Sequence, residues 1–287
     1  MLFANILMDN TLRLMEQTEF FVLNNQVKMP KMGLGVLFAE NDEEVENAVL
    51  TALHCGYRKV DTASAYKNEE GVGKAINKSG VPREAIFLGT KVWNTEQGYD
   101  ETLDAFAKSL ERLQTSYVDL YLIHWPVKPK YKETYRALEF IYKSGRAKAI
   151  GVCNFSVEQL KDLIKNSRIV PAINQVEMHP HLSQNELLQF AKDNGIQLEA
   201  WRPIMMGEVL KIPELVTIAE GHGKSPVHIA LRWLIQRGVA VIPKSVTPKR
   251  IQENIQVFDF ELRPEELEII EGLNQNRRLG EDLSHIM

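Results

Sequence analysis

Short apolar runs rich in β-branched residues recur along the chain and predict its strands. Their spacing of about thirty residues is that of one strand-plus-helix unit. The eight runs are Lys31–Val36, Lys59–Thr62, Phe87–Val92, Tyr117–Ile123, Ala149–Val152, Ala172–Val176, Gln197–Ala200 and Val239–Pro243. Eight strands alternating with helices favour an α/β fold, a single (β/α)8 TIM barrel, with an open doubly wound sheet as the alternative.

Helix start and stop signals lie between these runs. Asn41 caps a predicted helix that ends near Gly56, and the apolar residues between them fall on one stripe. Ser156-x-x-Gln159 and Ser183-x-x-Glu186 have the pattern of capping boxes. The remaining signals are the cap–proline pairs Ser225-Pro226 and Thr247-Pro248 and the helix-ending glycines Gly80, Gly145, Gly195 and Gly238.

A β-hairpin is predicted before the first barrel strand. Phe20–Leu23 and Gln26–Met29 flank Asn24-Asn25, and asparagine tolerates the positive φ of a tight turn. At this place in the chain a hairpin is expected to cap the bottom of the barrel. Residues 18–287 form one predicted barrel domain. Residues 1–17 are an N-terminal extension of uncertain order that lacks the basic start of a secretory signal.

Composition narrows the function classes. The apolar fraction of 44% and the charged fraction of 25% are those of an ordinary globular protein. A net charge of −4 gives no overall attraction to nucleic acid or anionic membrane, so an anionic ligand needs a local cluster of cations. Cys55 and Cys153 are far apart, which argues against a disulfide scaffold or zinc site, and no apolar run approaches the roughly 20 residues of a membrane span. We expect a cytoplasmic monomer without a metal.

Four chemically active side chains fall at the predicted carboxyl ends of three neighbouring strands, where barrel enzymes have their active sites. Asp61 ends the second strand, and Tyr66 follows in its loop. Lys91 ends the third strand, and His124 ends the fourth. Each alone has a structural explanation. Asp61 could cap the next helix and Tyr66 could be a loop aromatic. Lys91 could extend to the surface, and His124 could be a hydrogen-bonded core histidine. Their coincidence at one end of the barrel favours catalysis.

Together these four residues suit the protonation of an oxyanion. The ordinary tyrosine pKa of about 10 is too high for ready proton donation, and a neighbouring Lys91 ammonium is expected to lower the pKa of Tyr66. Asp61 is expected to hold Lys91 in place, and His124 to orient a carbonyl oxygen. No nucleophile is paired with a base, which disfavours acyl transfer.

Three segments resemble the signatures of the aldo-keto reductase family, in the family's order. They are Gly56-Tyr-Arg-Lys-Val-Asp-Thr-Ala-Ser-Ala-Tyr-Lys-Asn-Glu-Glu-Gly-Val-Gly73, Lys148-Ala-Ile-Gly-Val-Cys-Asn-Phe155 and Ile242-Pro-Lys-Ser-x4-Arg-x2-Glu-Asn254. Lys91 in Thr-Lys-Val-Trp-Asn and His124 in Leu-Ile-His-Trp-Pro add to the match. The resemblance covers the chain after its extension and is closest in character to the bacterial 2,5-diketo-D-gluconic acid reductase-like branch. It implies an NADPH-dependent reductase of aldehydes and ketones.

The resemblance also implies a cofactor site at the barrel mouth. Its residues are Asn154 and Gln175 for the nicotinamide carboxamide, Trp201 for stacking on the nicotinamide, Lys244, Ser245 and Arg250 for the 2′-phosphate, and Glu253 and Asn254 for the adenine. From the residues alone, two cations and a hydroxyl around a helix start suit a phosphate. The alternative is a solvated charged turn.

Several positions depart from the family pattern. Lys59 stands at a place that is usually small or neutral, and Cys153 stands where serine is frequent. Trp201 replaces a common tyrosine. Arg202 opens an unusually bulky loop, where it either adds a cation beside the cofactor pyrophosphate or points to solvent. Gly33-Leu-Gly35 begins like a dinucleotide fingerprint but lacks the third glycine and the βαβ context, so we interpret it as first-strand geometry.

The substrate site is predicted to be aromatic. Phe38, Trp93 and Trp125 are expected to line it together with His124, with rim packing as the alternative. Only nine residues follow Arg278, which predicts an open site for small aldehydes, α-dicarbonyls or keto-sugars. A second hypothesis is an NADPH-binding sensor or regulatory protein with little turnover, because a fold does not decide function. A phosphate-handling barrel isomerase is disfavoured, because the chain lacks the glycine-rich phosphate loop.

Overall fold

The computed structural model describes residues 19–39 and 41–280, so the predicted extension at 1–17 lies outside the described residues. The strands are β1 (Phe20–Val22), β2 (Lys28–Pro30), β3 (Leu34–Gly35), β4 (Lys59–Asp61), β5 (Phe87–Val92), β6 (Val118–Ile123), β7 (Ala147–Cys153), β8 (Ile173–Glu177), β9 (Gln197–Trp201) and β10 (Ala240–Val241). The α-helices are α1 (Asp42–His54), α2 (Glu69–Lys78), α3 (Tyr99–Arg112), α4 (Tyr131–Lys143), α5 (Val157–Asn166), α6 (Asn185–Asp193), α7 (Pro213–His222), α8 (Pro226–Gln236), α9 (Pro248–Asn254) and α10 (Pro264–Glu271). Short 3-10 helices occupy Ser64–Tyr66, Arg83–Ala85, Asn94–Glu96 and Met205–Lys211.

The eight strands β3 to β10 are neighbours in chain order, and every pair is parallel. The first and last strands also meet, because the Gly33 N–H donates to the Val241 carbonyl at 2.9 Å and the Gly35 N–H to the Pro243 carbonyl at 3.2 Å. A Cβ atom on Gly35 would lie 3.0 Å from the Ile242 carbonyl oxygen, which is tighter than most Cβ contacts, so glycine favours this close approach. These bonds close the sheet. The predicted (β/α)8 TIM barrel is confirmed, and the open sheet is wrong.

The core has two layers, as the barrel requires. β5 and β6 are buried at every position because one face lines the barrel interior and the other lies under the helices. The larger apolar cluster lies between the strands and the surrounding helices. A smaller cluster fills the barrel interior and includes Leu120, Leu122 and Ile173 together with Leu23 and Met29 from the hairpin.

The hairpin of β1 and β2 caps the bottom of the barrel, as predicted, but its turn differs from the expectation. Gln26, and neither asparagine, adopts the positive φ, at 68°. The asparagine amides instead bind barrel backbone: Asn24 Nδ2 donates to the Pro171 carbonyl at 3.2 Å, and Asn25 Nδ2 donates to the Lys148 carbonyl at 2.9 Å. These bonds fix the hairpin below β7 and β8.

Most predicted helix starts are confirmed. Asn41 caps α1, Ser225 caps α8, and Ser156 forms the predicted capping box of α5. The predicted box at Ser183 is wrong, because α6 begins after Gln184, which has a left-handed φ of 51°. Tertiary bonds hold this turn: the Ser183 N–H donates to Asn274 Oδ1 at 3.1 Å, and Gln184 Nε2 donates to the Glu177 carbonyl at 2.9 Å.

Two further helix signals have simple outcomes. Thr247 precedes α9 but makes no side-chain capping bond. The helix-ending glycines Gly80, Gly145, Gly195 and Gly238 all have positive φ, as predicted. Within residues 19–39 and 41–280, no helix combines the length and apolar character that crossing a bilayer requires.

Candidate active site

A cavity of about 1420 Å³ opens at the carboxyl ends of the barrel strands. The predicted site residues that line it are Phe38, Asp61, Tyr66, Trp93, His124, Trp125, Asn154, Gln175, Trp201, Lys244, Ser245, Arg250, Glu253 and Asn254. Lys91 does not line the cavity and lies fully buried behind Asp61. The cavity exceeds the roughly 300–1,000 Å³ of ordinary small-molecule pockets, so it has room for a ligand larger than one small molecule.

Lys91 and Asp61 form a buried ion pair beside Tyr66. Asp61 pairs with Gly89 across β4 and β5, so Lys91, two residues beyond Gly89, projects from the same face as Gly89. Lys91 Nζ lies 2.5 Å from Asp61 Oδ2 and donates to the Thr62 carbonyl at 2.9 Å. The same ammonium lies 5.1 Å from the centroid of the Tyr66 ring. The cation is therefore held against the proposed proton donor.

The net effect on the pKa of Tyr66 is the opposite of the sequence-based expectation. Burial raises the pKa of Tyr66 to about 12; Lys91 lowers it only in part, and Asp61 raises it further. Burial alone lowers the pKa of Lys91, but Asp61 and Tyr66 raise it above its ordinary value. At neutral pH, Tyr66 is therefore the protonated phenol and Lys91 the charged ammonium. These are the states that proton donation requires.

His124 follows β6 and faces Tyr66 across the cavity. Its ring meets that of Tyr66 edge-on with centroids 5.5 Å apart, and that of Trp93 edge-on at 4.9 Å. Burial, and then the nearby Lys91 ammonium, hold the pKa of His124 well below its ordinary value. The imidazole is therefore neutral. Its Nδ1 is buried and has no hydrogen-bond partner within the described parts of the chain.

Asn154 and Trp201 form one bonded unit in the cavity wall. Trp201 Nε1 donates to Asn154 Oδ1 at 2.9 Å, and Asn154 Nδ2 donates to the His124 carbonyl at 3.0 Å. Asn154 has a left-handed φ of 63°, which asparagine tolerates better than most residues. The positions predicted to orient and stack the nicotinamide are thus tied to the end of β6.

Gln175 lies between two carboxylates. Its Nε2 donates to Asp61 Oδ1 at 2.9 Å and to Glu199 Oε2 at 2.9 Å. The second carboxyl oxygen of Glu199 accepts a short hydrogen bond from Lys59, and both of these residues are fully buried. Sequence reasoning missed Glu199. The signal was available, because two opposite charges within buried strands are expected to pair.

The far end of the cavity is positively charged. Lys244 follows β10, and Arg250 lies on α9. Neither cation forms an ion pair with a residue in the ranges 19–39 and 41–280. Ser245 is buried beside them, and its Oγ accepts from the Thr247 N–H at 3.2 Å. Two cations without countercharge at a cavity wall fit a phosphate group.

Arg202 and the loop after β9 cover one side of the cavity. Arg202, Met205 and Met206 have left-handed φ values of 54°, 52° and 54°. The Arg202 guanidinium donates a short hydrogen bond to the Leu279 carbonyl, and it lies 5.5 Å from the Trp201 ring. Arg202 lines the cavity, so its side chain does not simply point to solvent, and a contact with the cofactor pyrophosphate stays a prediction. Arg202 joins this loop to the C-terminal segment.

The predicted substrate aromatics lie at different depths. Trp93 and Trp125 are half-buried in the cavity wall, whereas Phe38 is 67% exposed. Met206, which sequence reasoning missed, is 74% exposed and also lines the cavity. Phe38 and Met206 therefore form an apolar rim around the opening.

Comparisons with known proteins agree with this arrangement. Residues 31–275 match the sequence model of the Aldo/keto reductase family. Glyoxal reductase of Bacillus subtilis (strain 168) is 54% identical over 258 residues, covering 90% of this chain and 94% of that protein. Methylglyoxal reductase DkgA of Escherichia coli (strain K12) is 45% identical over 258 residues, covering 88% of this chain and 93% of that protein.

Solved structures show the same fold. An aldo/keto reductase from Brucella melitensis has a TM-score of 0.87 and 48% identity, covering 90% of this chain and 100% of that chain. A Bombyx mori aldo-keto reductase in complex with NADP has a TM-score of 0.89 and 36% identity, covering 94% of this chain and 96% of that chain. With its closed barrel and the cavity at its mouth, the chain belongs to the aldo/keto reductase family of oxidoreductases.

Proposed function

We propose that this protein reduces aldehydes and ketones to alcohols with NADPH, and that small α-dicarbonyls such as glyoxal and methylglyoxal are its preferred substrates. One observation carries the proposal: Tyr66 and His124 face the same cavity, with the Lys91 ammonium 5.1 Å from the Tyr66 ring. The names of the Bacillus glyoxal reductase and the Escherichia methylglyoxal reductase support the substrate class.

The cavity residues support NADPH over NADH. NADPH differs from NADH by a 2′-phosphate on the adenosine, and Lys244 and Arg250 are cavity-lining cations without an ion-pair partner in the described ranges. Ser245 adds a hydroxyl, and Glu253 and Asn254 lie beside it for the adenine. The NADP-bound Bombyx mori relative supports the same cofactor. When bound, the nicotinamide supplies the hydride.

Tyr66 gives the proton to the oxygen that becomes the alcohol. Since the pKa of Tyr66 is raised to about 12, the phenol is protonated at neutral pH. The neutral His124 imidazole donates a hydrogen bond to the same oxygen and orients it toward Tyr66. As the proton leaves, the Lys91 ammonium stabilises the phenolate, and Asp61 keeps Lys91 in position. General acid catalysis of this kind contributes about 10²–10⁴-fold to a rate.

The open, apolar rim supports small substrates and broad tolerance. Trp93, Trp125 and His124 form the inner wall, and Phe38 and Met206 lie exposed at the opening. Such a wall buries a small carbonyl compound through apolar contacts and leaves its orientation to the few polar groups. We infer that discrimination among small carbonyl compounds depends mainly on the fit around Trp93 and His124.

NADPH consumption with a panel of carbonyls tests the proposal. The panel contains glyoxal, methylglyoxal, an aromatic aldehyde and a keto-sugar, each assayed with NADPH and with NADH. We expect turnover with NADPH, fastest for the dicarbonyls, and much weaker turnover with NADH. Tight NADPH binding with no consumption on any carbonyl would refute catalysis and favour the sensor hypothesis. Equal use of both cofactors would refute the assigned phosphate site.

A further inference from the structure

Lys59 and Glu199 form a second buried ion pair below the catalytic residues. Lys59 begins β4, and Glu199 lies in the middle of β9, across the barrel interior. Their charged groups are in contact, and both side chains are fully buried. Lys59 also has the Met29 sulfur at 2.9 Å and the Phe87 ring centroid at 5.2 Å. The ammonium is thus enclosed between the hairpin cap and the barrel wall.

The chain makes room for this lysine. A side chain on Gly33 would lie 2.7 Å from Lys59 Cγ, so glycine at this position admits the aliphatic stem. Met29, from the hairpin that caps the bottom of the barrel, is completely buried. A lysine enclosed by three separate segments of the chain requires a countercharge, which Glu199 provides.

The pair is connected to the cofactor cavity through Gln175. The two N–H groups of the Gln175 amide are both used, one on Glu199 and one on Asp61, each at 2.9 Å. A carbonyl oxygen in that place would face two carboxylates and be repelled. The two carboxylates therefore fix which way the amide points, and the Gln175 oxygen is left as a hydrogen-bond acceptor. This oxygen accepts a weak hydrogen bond from the Cys153 thiol, whose sulfur lies 3.8 Å away, and a carbonyl oxygen has a second lone pair for another donor.

We propose that Lys59 and Glu199 are positioning residues that fix the Gln175 amide so that its oxygen accepts a hydrogen bond from the nicotinamide carboxamide. Lys59 holds the Glu199 carboxylate, the carboxylate holds the Gln175 nitrogen, and the Gln175 oxygen then has one orientation. Asp61 completes the arrangement, so the same amide is bound to the ion pair that supports Tyr66. This inference rests on the proposed function, because it assigns a contact to NADPH.

Two double variants separate positioning from general stability. K59M/E199Q removes both charges but keeps a carbonyl oxygen that accepts from Gln175. K59M/E199L removes the charges and the acceptor together. Neither leaves an unpaired buried charge, so both are expected to fold. Thermal unfolding of each variant checks this directly.

Binding of NADPH is compared with binding of adenosine 2′,5′-bisphosphate, which carries the 2′-phosphate but no nicotinamide. We expect K59M/E199L to bind NADPH about three- to tenfold more weakly than the wild type, the effect of losing one orienting hydrogen bond. K59M/E199Q is expected to regain most of this affinity. All three proteins are expected to bind the bisphosphate equally.

A third variant keeps the test decisive. Gln175→Met removes the amide itself. Adding K59M/E199L or K59M/E199Q to Gln175→Met is therefore expected to cause no loss of NADPH affinity beyond that of Gln175→Met alone. Equal NADPH affinity of the two double variants, or additive losses with Gln175→Met, would overturn the inference. A wild-type protein that fails to bind NADPH would instead refute the proposed function, so the two failures are distinguishable.

Discussion

The Lys91 ammonium lies 2.5 Å from a carboxylate oxygen of Asp61, with both groups buried at the end of the barrel. Removing one partner of a buried ion pair leaves an uncompensated charge and costs about 3–5 kcal/mol. Because the same ammonium lies beside Tyr66, the pair contributes both to stability and to the electrostatics of proton transfer. Variants at this pair must therefore be assayed for folding as well as for rate.

Replacing Tyr66 by phenylalanine removes the proposed proton donor and keeps the ring that packs against His124. We expect kcat/KM for methylglyoxal to fall by about 10²–10⁴-fold, the contribution of a general acid. NADPH affinity, measured by fluorescence titration, is expected to stay within about twofold, because a hydroxyl that bonds the substrate adds little to cofactor binding. Near-normal reduction by Tyr66→Phe would show that another group supplies the proton.

Replacing Lys91 by methionine removes the cation that lowers the pKa of Tyr66, and it leaves Asp61, which raises that pKa. The pKa of Tyr66 is therefore expected to rise further. Alcohol oxidation needs the Tyr66 phenolate as proton acceptor, so its pH–rate profile is expected to shift toward higher pH. Urea unfolding at pH 7 is expected to show a loss of about 3–5 kcal/mol. An unchanged pH profile in a folded variant would contradict the pairing of Lys91 with Tyr66.

Replacing Arg250 by alanine tests the phosphate site. A hydrogen bond to a charged group is worth about 1.5–3 kcal/mol, so the Kd for NADPH is expected to rise roughly 10- to 100-fold while that for NADH stays unchanged. The matched control is Lys249→Ala on the same helix. Lys249 is 84% exposed and lies 3.8 Å from Glu253, so its loss is expected to change NADPH binding little. Equal weakening by both variants would indicate a general charge effect.

Stability is expected to fall at alkaline pH because buried tyrosines must ionise on unfolding. Burial raises the pKa of Tyr135 well above its ordinary value of 10.0. A group with a raised folded-state pKa contributes stability below its unfolded pKa and loses it as the pH rises above that value. The window therefore begins near pH 10.

Replacing Tyr135 by phenylalanine tests this expectation. The hydroxyl of Tyr135 has no hydrogen-bond partner among the residues that the structure describes, so the change is expected to cost little at pH 7. At pH 11, one ionising tyrosine accounts for about 1.4 kcal/mol of the loss. Urea unfolding at pH 8 and pH 11 is expected to show that much less loss in Tyr135→Phe. An identical loss in both proteins would exclude Tyr135 as a contributor.

The sequence by itself determined the parts of this protein that depend on local patterns. The eight strands follow from apolar runs, and starts such as Asn41 and Ser156 follow from side-chain capping. A closed parallel barrel then brings the carboxyl ends of all strands to one opening, so the positions of Asp61 and His124 at the ends of their strands already predicted a shared site. These inferences need only neighbouring residues and one rule of topology.

Only the tertiary structure decided which distant groups meet. Lys59 and Glu199 are 140 positions apart in the chain; a charge within a buried strand indicates that a countercharge is needed, but not which distant residue supplies it. The same holds for Arg202 and the Leu279 carbonyl, and for the contacts that start α6 after Gln184 instead of Ser183. The pKa of Tyr66 is a further case, because burial depends on everything packed around the ring and outweighs the single cation that the sequence revealed. Ion pairing, burial and desolvation each depend on residues from many parts of the folded chain, so no local sequence pattern predicts them.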